Sequence, residues 1–283
     1  MLKNTKRILA LLFSIYFITL NFYLFSYWQE EHSLLVQIRK LNRTNPFQGL
    51  NSFVHIQLSQ DPPFTTPGLI YTIVSFIIIP LFGSLFYIYQ KDNATFNFLP
   101  QRISYSKYLK KGLLSSFLGG FLLSLFTSIY EIIFVNLTLS GINYSVNGYF
   151  KEVGAPSFSN NTLIEVVSLI ALNALGWRIY SMFIFALNLY IPKIIFSIPS
   201  GFLFFLIITL LISVFGNRNS LVMVISGTLF PEALVSPGFT TFYGLAYPIN
   251  YYLQFILSAV FYICLALVLA VIWKKRRLKY GKN

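Results

Sequence analysis

Four ionisable side chains lie inside otherwise apolar stretches of this chain: Glu131, Glu165, Arg178 and Glu232. A charge alone at the centre of a bilayer costs about 2.5–3.5 kcal/mol even on lenient insertion scales, so each of these needs a partner or a purpose. Arg178 is the deepest, and Glu131 falls in the outer half of the preceding apolar stretch. The two can pair if their helices lie side by side, as a hairpin through residues 138–161 would place them. Such a pair would fix helix register or touch a substrate. Glu165 stands near an interface and can reach water. Glu232 sits in "LFPEALVSPG", where a carboxylate can cap backbone donors.

Enzymatic constellations are sparse. Both histidines, His32 and His55, fall in one polar segment, and no H-E-x-x-H is present. The nearest approach to a catalytic set, His32 beside Glu30 and Glu31 with His55 and Asp61 beyond, reads as a solvated loop. No catalytic residue and no metal site is expected. No G-x-x-x-x-G-K-[ST] occurs either, so the chain lacks the usual backbone cradle for nucleotide phosphates. A single cysteine, Cys264, excludes an intrachain disulfide and is expected to be a small packing residue.

The elements that must position these groups follow from composition. Of 283 residues, 56% are apolar and 10% charged, whereas a water-facing surface wants roughly a quarter to a third charged residues. The expected fold is an all-α integral membrane protein forming a single transmembrane domain over 1–283. Runs of about 20 apolar residues suffice to cross a hydrocarbon core, and they predict six spans near 8–27, 69–89, 113–137, 162–191, 194–215 and 252–273. The first is expected to be an uncleaved anchor, because no small-x-small cleavage site follows it. The stretch 220–248 is apolar but broken by Gly227, Pro231, Glu232, Pro237 and Gly238. It predicts a re-entrant hairpin, tolerated only where protein or a wet cavity satisfies its backbone. Gly119 and Gly120, with Ser115, Ser116 and Ser124, form a small-residue stripe that would let a second helix approach closely, within the subunit or across a dimer seam.

Basic residues are distributed unevenly. With both termini in the cytoplasm, the inner segments hold Lys3, Lys6, Arg7, Lys91, Arg102, Lys107, Lys110, Lys111 and the tail "KKRRLKYGKN". The outer loops, 28–67 foremost, hold few. This positive-inside bias predicts a multi-pass cell-membrane protein. It also accounts for a net charge of +13 through anionic lipid rather than nucleic acid.

Between the second and third expected spans stands "FLPQRISYSKYLKKGLL". Pro100 can open a helix, and over 100–111 a 3.6 period puts Ile103, Tyr105, Tyr108 and Leu109 toward one side, and Arg102, Ser106, Lys107 and Lys110 toward the other. On its own it is either an interfacial helix resting on lipid or a helix offered to a partner. Together with "NLYIPKIIFSIP" and "LFPEALVSPG", this layout resembles the six-helix permease subunit of type-2 ATP-binding-cassette exporters. The resemblance implies that 100–111 is a coupling helix, with Arg102, Tyr105, Lys107 and Tyr108 meeting a separate ATPase. It further implies two copies of that ATPase, which carry ATP and magnesium, and a second permease subunit forming a homodimer. The implied activity is export of a peptide, antimicrobial or lipid-like amphipathic substrate. The alternative is a non-transporting membrane scaffold or immunity protein whose outer loops bind a ligand or partner.

Overall fold

The computed structural model describes residues 2–40, 66–92, 104–138, 162–215, 220–236 and 251–280. Ten helices make up the described residues, with no strand among them: α1 (Leu2–Lys40), α2 (Thr66–Phe82), α3 (Leu85–Asp92), α4 (Tyr105–Thr138), α5 (Thr162–Asn188), α6 (Ile194–Ser197), α7 (Ser200–Phe215), α8 (Ser220–Leu229), α9 (Pro231–Val235) and α10 (Tyr251–Tyr280). Four of them, α1, α4, α5 and α10, are long and apolar enough to cross a membrane singly. The pair α2–α3, bent by 70°, makes a fifth if it is one span.

Three boundaries differ from the sequence reading. Residues 28–40, expected in an outer loop, continue α1, because "WQEEHSLLVQIRK" contains neither glycine nor proline to stop it; residues 41–65 of that loop lie outside the described residues. The expected span 194–215 divides at Pro199 into α6 and α7, and α7, at 16 residues, is about 24 Å long, short of the roughly 30 Å of hydrocarbon. Tyr105–Lys111 are not a separate coupling helix but the first turns of α4, which runs unbroken through Gly112. Residues 93–103, Arg102 among them, lie outside the described residues.

The bundle turns the usual globular logic inside out. Along α4 the buried positions include Gly112, Ser116, Gly119, Gly120, Ser124, Thr127 and Ser128, while Leu114, Leu118, Leu122, Ile129 and Ile133 are exposed. Lipid is as apolar as leucine, so helices gain by close approach through small residues and by shared hydrogen bonds instead of by burying leucine. The expected small-residue stripe is therefore a packing seam within one chain. At its centre a Cβ on Gly83 would strike the Ser115 carbonyl, and one on Gly119 would strike the Gly83 backbone. Ser115 Oγ donates to the Gly83 carbonyl at 2.7 Å across the same crossing. Cys264, expected to be packed, is instead exposed on α10.

Ring contacts fix the helix directions. Phe13 near the start of α1 packs on Phe82 at the end of α2, Tyr87 of α3 meets Tyr108 and Phe185, and Tyr108 stacks on Trp273. The basic residues that begin α1 and α4 and end α10 thus converge on one end of the bundle. Lys91 belongs to that end too, but its ammonium donates to the carbonyls of Asn188 and Ile191, satisfying the C-terminus of α5.

Candidate functional site

In the half of the bundle away from the basic end, α1, α2, α4, α5 and α9 enclose a polar cavity of about 40 Å³, room for about two or three waters. Its wall is rich in oxygen: Tyr16 from α1, Tyr71, Thr72 and Ser75 from α2, Ser124, Thr127, Ser128 and Glu131 from α4, Asn173 from α5, and Glu232 and Ser236 at α9. Among the described residues no lysine, arginine or histidine lines it. The α4 contribution follows from period: Ser124, Thr127, Ser128 and Glu131 recur at three- and four-residue spacing on one face.

A hydrogen-bond relay organises the wall. Thr127 Oγ1 donates to the Leu123 carbonyl at 2.9 Å, so Tyr16, 2.7 Å away, must donate to Thr127. Tyr71, 3.1 Å from Tyr16 Oη, then donates to Tyr16, because a hydroxyl has one proton to give. On the opposite wall Ser124 Oγ donates to Asn173 Oδ1 and Asn173 Nδ2 donates to the Val235 carbonyl, both at 2.6 Å. Ser75 Oγ is buried beside the Tyr16 and Tyr71 hydroxyls.

The described part of the stretch expected to form a hairpin, 220–236, consists of α8 and α9 with a break between them; residues 237–248 lie outside the described residues. The chain breaks at Phe230–Pro231, where proline opens α9 and puts Glu232 in its first turn. Side chains of neighbouring helices satisfy the carbonyls around this break: Tyr262 Oη donates to Leu229, Gln254 Nε2 to Gly227 and Asn173 to Val235. Irregular backbone at membrane depth needs such internal partners. Gly227 is buried in α8, and Pro231 and Glu232 in α9.

Glu131 and Arg178 do not meet. Their helices are antiparallel neighbours, as expected, but Gly120 packs against Trp177 and Ser181, and Gly112 against Phe185. That register sets the Arg178 guanidinium 3.4 Å from the centroid of Phe117 and 5.3 Å from that of Phe121, a cation–π contact. Glu131 lies ten residues beyond Phe121 on α4, about 15 Å of helix rise. Arg178→Met and Glu131→Gln should therefore lower the thermal midpoint additively, to within about 0.5 kcal/mol in a double-mutant cycle. A coupling well above that would restore the pair.

The aromatic side of Tyr105–Lys111, expected to face a partner, turns inward. Tyr108 is 3% exposed and donates to the Tyr87 carbonyl at 2.7 Å. Tyr105 meets Trp273 edge-on at 5.8 Å. Lys107, Lys110 and Lys111 remain exposed. What the sequence reading missed is the cavity itself: Glu131 and Glu232 were each legible as intramembrane acids, but nothing in their spacing shows that they share one wall.

The fold and this cavity define a chain whose described residues form helices, four to five of them suited to a membrane, with an acidic, hydroxyl-rich pocket between them. No known protein family, characterised protein or solved structure matches it.

Proposed function

We propose that the chain is the transmembrane subunit of a transporter driven by a separate ATPase, as its likeness to type-2 ATP-binding-cassette permeases implies. The observation that carries a transport role is the cavity: two carboxylates, Glu131 and Glu232, at membrane depth beside a broken helix pair. Ionisable residues inside spans mark substrate or ion pathways, and discontinuous helices are where transporters build their sites. A cavity of about 40 Å³ is too small for a peptide or lipid, so an amphipathic substrate would pass where two copies of the chain meet, in the cell membrane with both termini cytoplasmic. The ATPase would then meet the basic end, where Lys107, Lys110 and Lys111 present a positive face.

Purification from the native membrane in mild detergent should retain a polypeptide carrying a phosphate-binding loop, in about equal amount to this chain. Glu232→Gln should lower substrate export by the reconstituted complex while leaving that association intact. Recovery of the chain without an ATPase, across detergents that preserve other such complexes, would sink the reading in favour of a non-transporting scaffold or immunity protein.

A further inference from the structure

Arg178 meets aromatic rings where a charge at membrane depth calls for an anion. Its guanidinium lies over Phe117 and Phe121, and its Nε is buried without a hydrogen-bond partner. A guanidinium has five N–H donors as well as a full charge, and a ring face answers only the charge. Among the described residues no carboxylate pairs with it, and Glu131 belongs to the cavity. From this arginine a furrow of about 460 Å³ runs along the outside of the bundle between α4 and α5. Among the described residues only apolar side chains line it, with Phe121 and Leu125 from α4 and Val167, Ala171 and Leu175 from α5. Val167, Ala171, Leu175 and Arg178 recur at three- and four-residue spacing, so they share one face of α5. Phe121 belongs to the furrow and to the guanidinium contact alike. On α4 the same face continues toward the basic end through Phe117 and Leu114 to Lys110, and both Leu114 and Lys110 are exposed.

We propose that this furrow seats one anionic phospholipid from the leaflet at the basic end, its phosphate between Arg178 and Lys110 and one acyl chain along α4 and α5. The apolar wall by itself selects nothing, since lipid lies against any apolar helix face in a membrane. Charge makes the selection. The planar fork of an arginine takes two phosphate oxygens at once, and basic sites between membrane helices recognise anionic headgroups. Phe117 is seven residues beyond Lys110 on α4, about 10 Å of helix rise, so a phosphate between these levels is within reach of both long side chains. Orientation agrees with this leaflet. The furrow leaves Arg178 in the direction away from the basic end, as the chains of a lipid anchored at that end must run. A lipid of the opposite leaflet would bring its chain ends, and not its phosphate, to Arg178. The volume also falls within the roughly 300–1,000 Å³ of small-molecule sites.

The test uses the purified full chain in detergent, titrated with phosphatidylglycerol or, as the neutral control, with phosphatidylcholine of the same acyl chains. Phosphatidylglycerol is expected to raise the thermal midpoint by several degrees over phosphatidylcholine, and native mass spectrometry to show one tightly held phosphatidylglycerol per chain. Arg178→Met keeps an apolar stem beside Phe117 but should weaken phosphatidylglycerol binding at least about tenfold, the scale of lost charge-assisted hydrogen bonds, with phosphatidylcholine binding unchanged. Lys110→Ala should weaken it about fivefold. Ala171→Phe fills the furrow from an exposed position and leaves Arg178 in place, so it should also weaken binding. Should the variants fail to fold, the lipid preference and stoichiometry of the unaltered chain decide. Equal affinity for the two lipids, or an undiminished preference in the Arg178→Met protein, overturns the proposal. Inorganic phosphate that reproduces the whole rise overturns it in favour of a bare anion site. An Arg178→Met protein that passes from dimer to monomer with its lipid preference intact also overturns it, and gives the furrow to a second copy of the chain. No ATPase enters these measurements, so failure here is separable from failure of the transport reading.

Discussion

Gly176→Val is expected to eliminate the folded, monodisperse form of the protein. A Cβ on Gly176 would overlap the Leu234 carbonyl of α9, with the Val235 Cα also in contact. The obstruction is backbone, and the backbone cannot retreat: Asn173 holds the Val235 carbonyl, Tyr262 holds that of Leu229, and Leu234 is fully buried. Overpacking a fitted site by one or two methylenes costs about 1–3 kcal/mol even where side chains can yield, and here the obstructing group is main chain. Gly176→Ala should already lower the midpoint, and valine, branched toward α9, should lower the size-exclusion yield to background. Because α9 holds Glu232 in the cavity, the alanine variant should lose any cavity function before it loses its fold. A monodisperse Gly176→Val protein with the parental midpoint would show that α9 is not seated on α5.

The second large effect is expected at Tyr108. Truncating a buried aromatic to alanine typically costs about 3–5 kcal/mol, and Tyr108→Ala also removes the hydrogen bond to the Tyr87 carbonyl and the ring that stacks on Trp273 at 6.2 Å. The thermal midpoint should fall sharply whether or not a partner is present. Replacing Lys107, Lys110 and Lys111 together with alanine should leave the midpoint nearly unchanged, since exposed substitutions usually stay within about 0.5 kcal/mol each. If a partner ATPase docks at this end, the lysine variant should weaken its retention. The reverse pattern, a stable Tyr108→Ala protein that no longer retains the ATPase, would return Tyr108 to the docking surface.

The run lengths of apolar residues determined by themselves that this chain forms long membrane-suited helices, since an uninterrupted apolar stretch can satisfy its backbone in lipid only as helix. They also located the break at Pro231, where the ring removes a donor, and the close-packing seam at Gly119, where only small residues let backbones meet. Facing was beyond their reach. In water, hydrophobic periodicity reports which side is buried; in lipid both sides tolerate apolar groups, so the twelve-residue stretch "FLPQRISYSKYL" reads equally well with its tyrosines inward or outward. Trp273 of α10 and Tyr87 of α3 decided the matter for Tyr105 and Tyr108. Register was decided the same way: Gly120 seated on Trp177 and Ser181 places Arg178 beside Phe117 and leaves Glu131 to the cavity. Glu131 and Glu232, remote in the chain, share a wall only because the break at Pro231 and the absence of a side chain at Gly176 let α9 reach α5, and that contact exists only once the helices have packed.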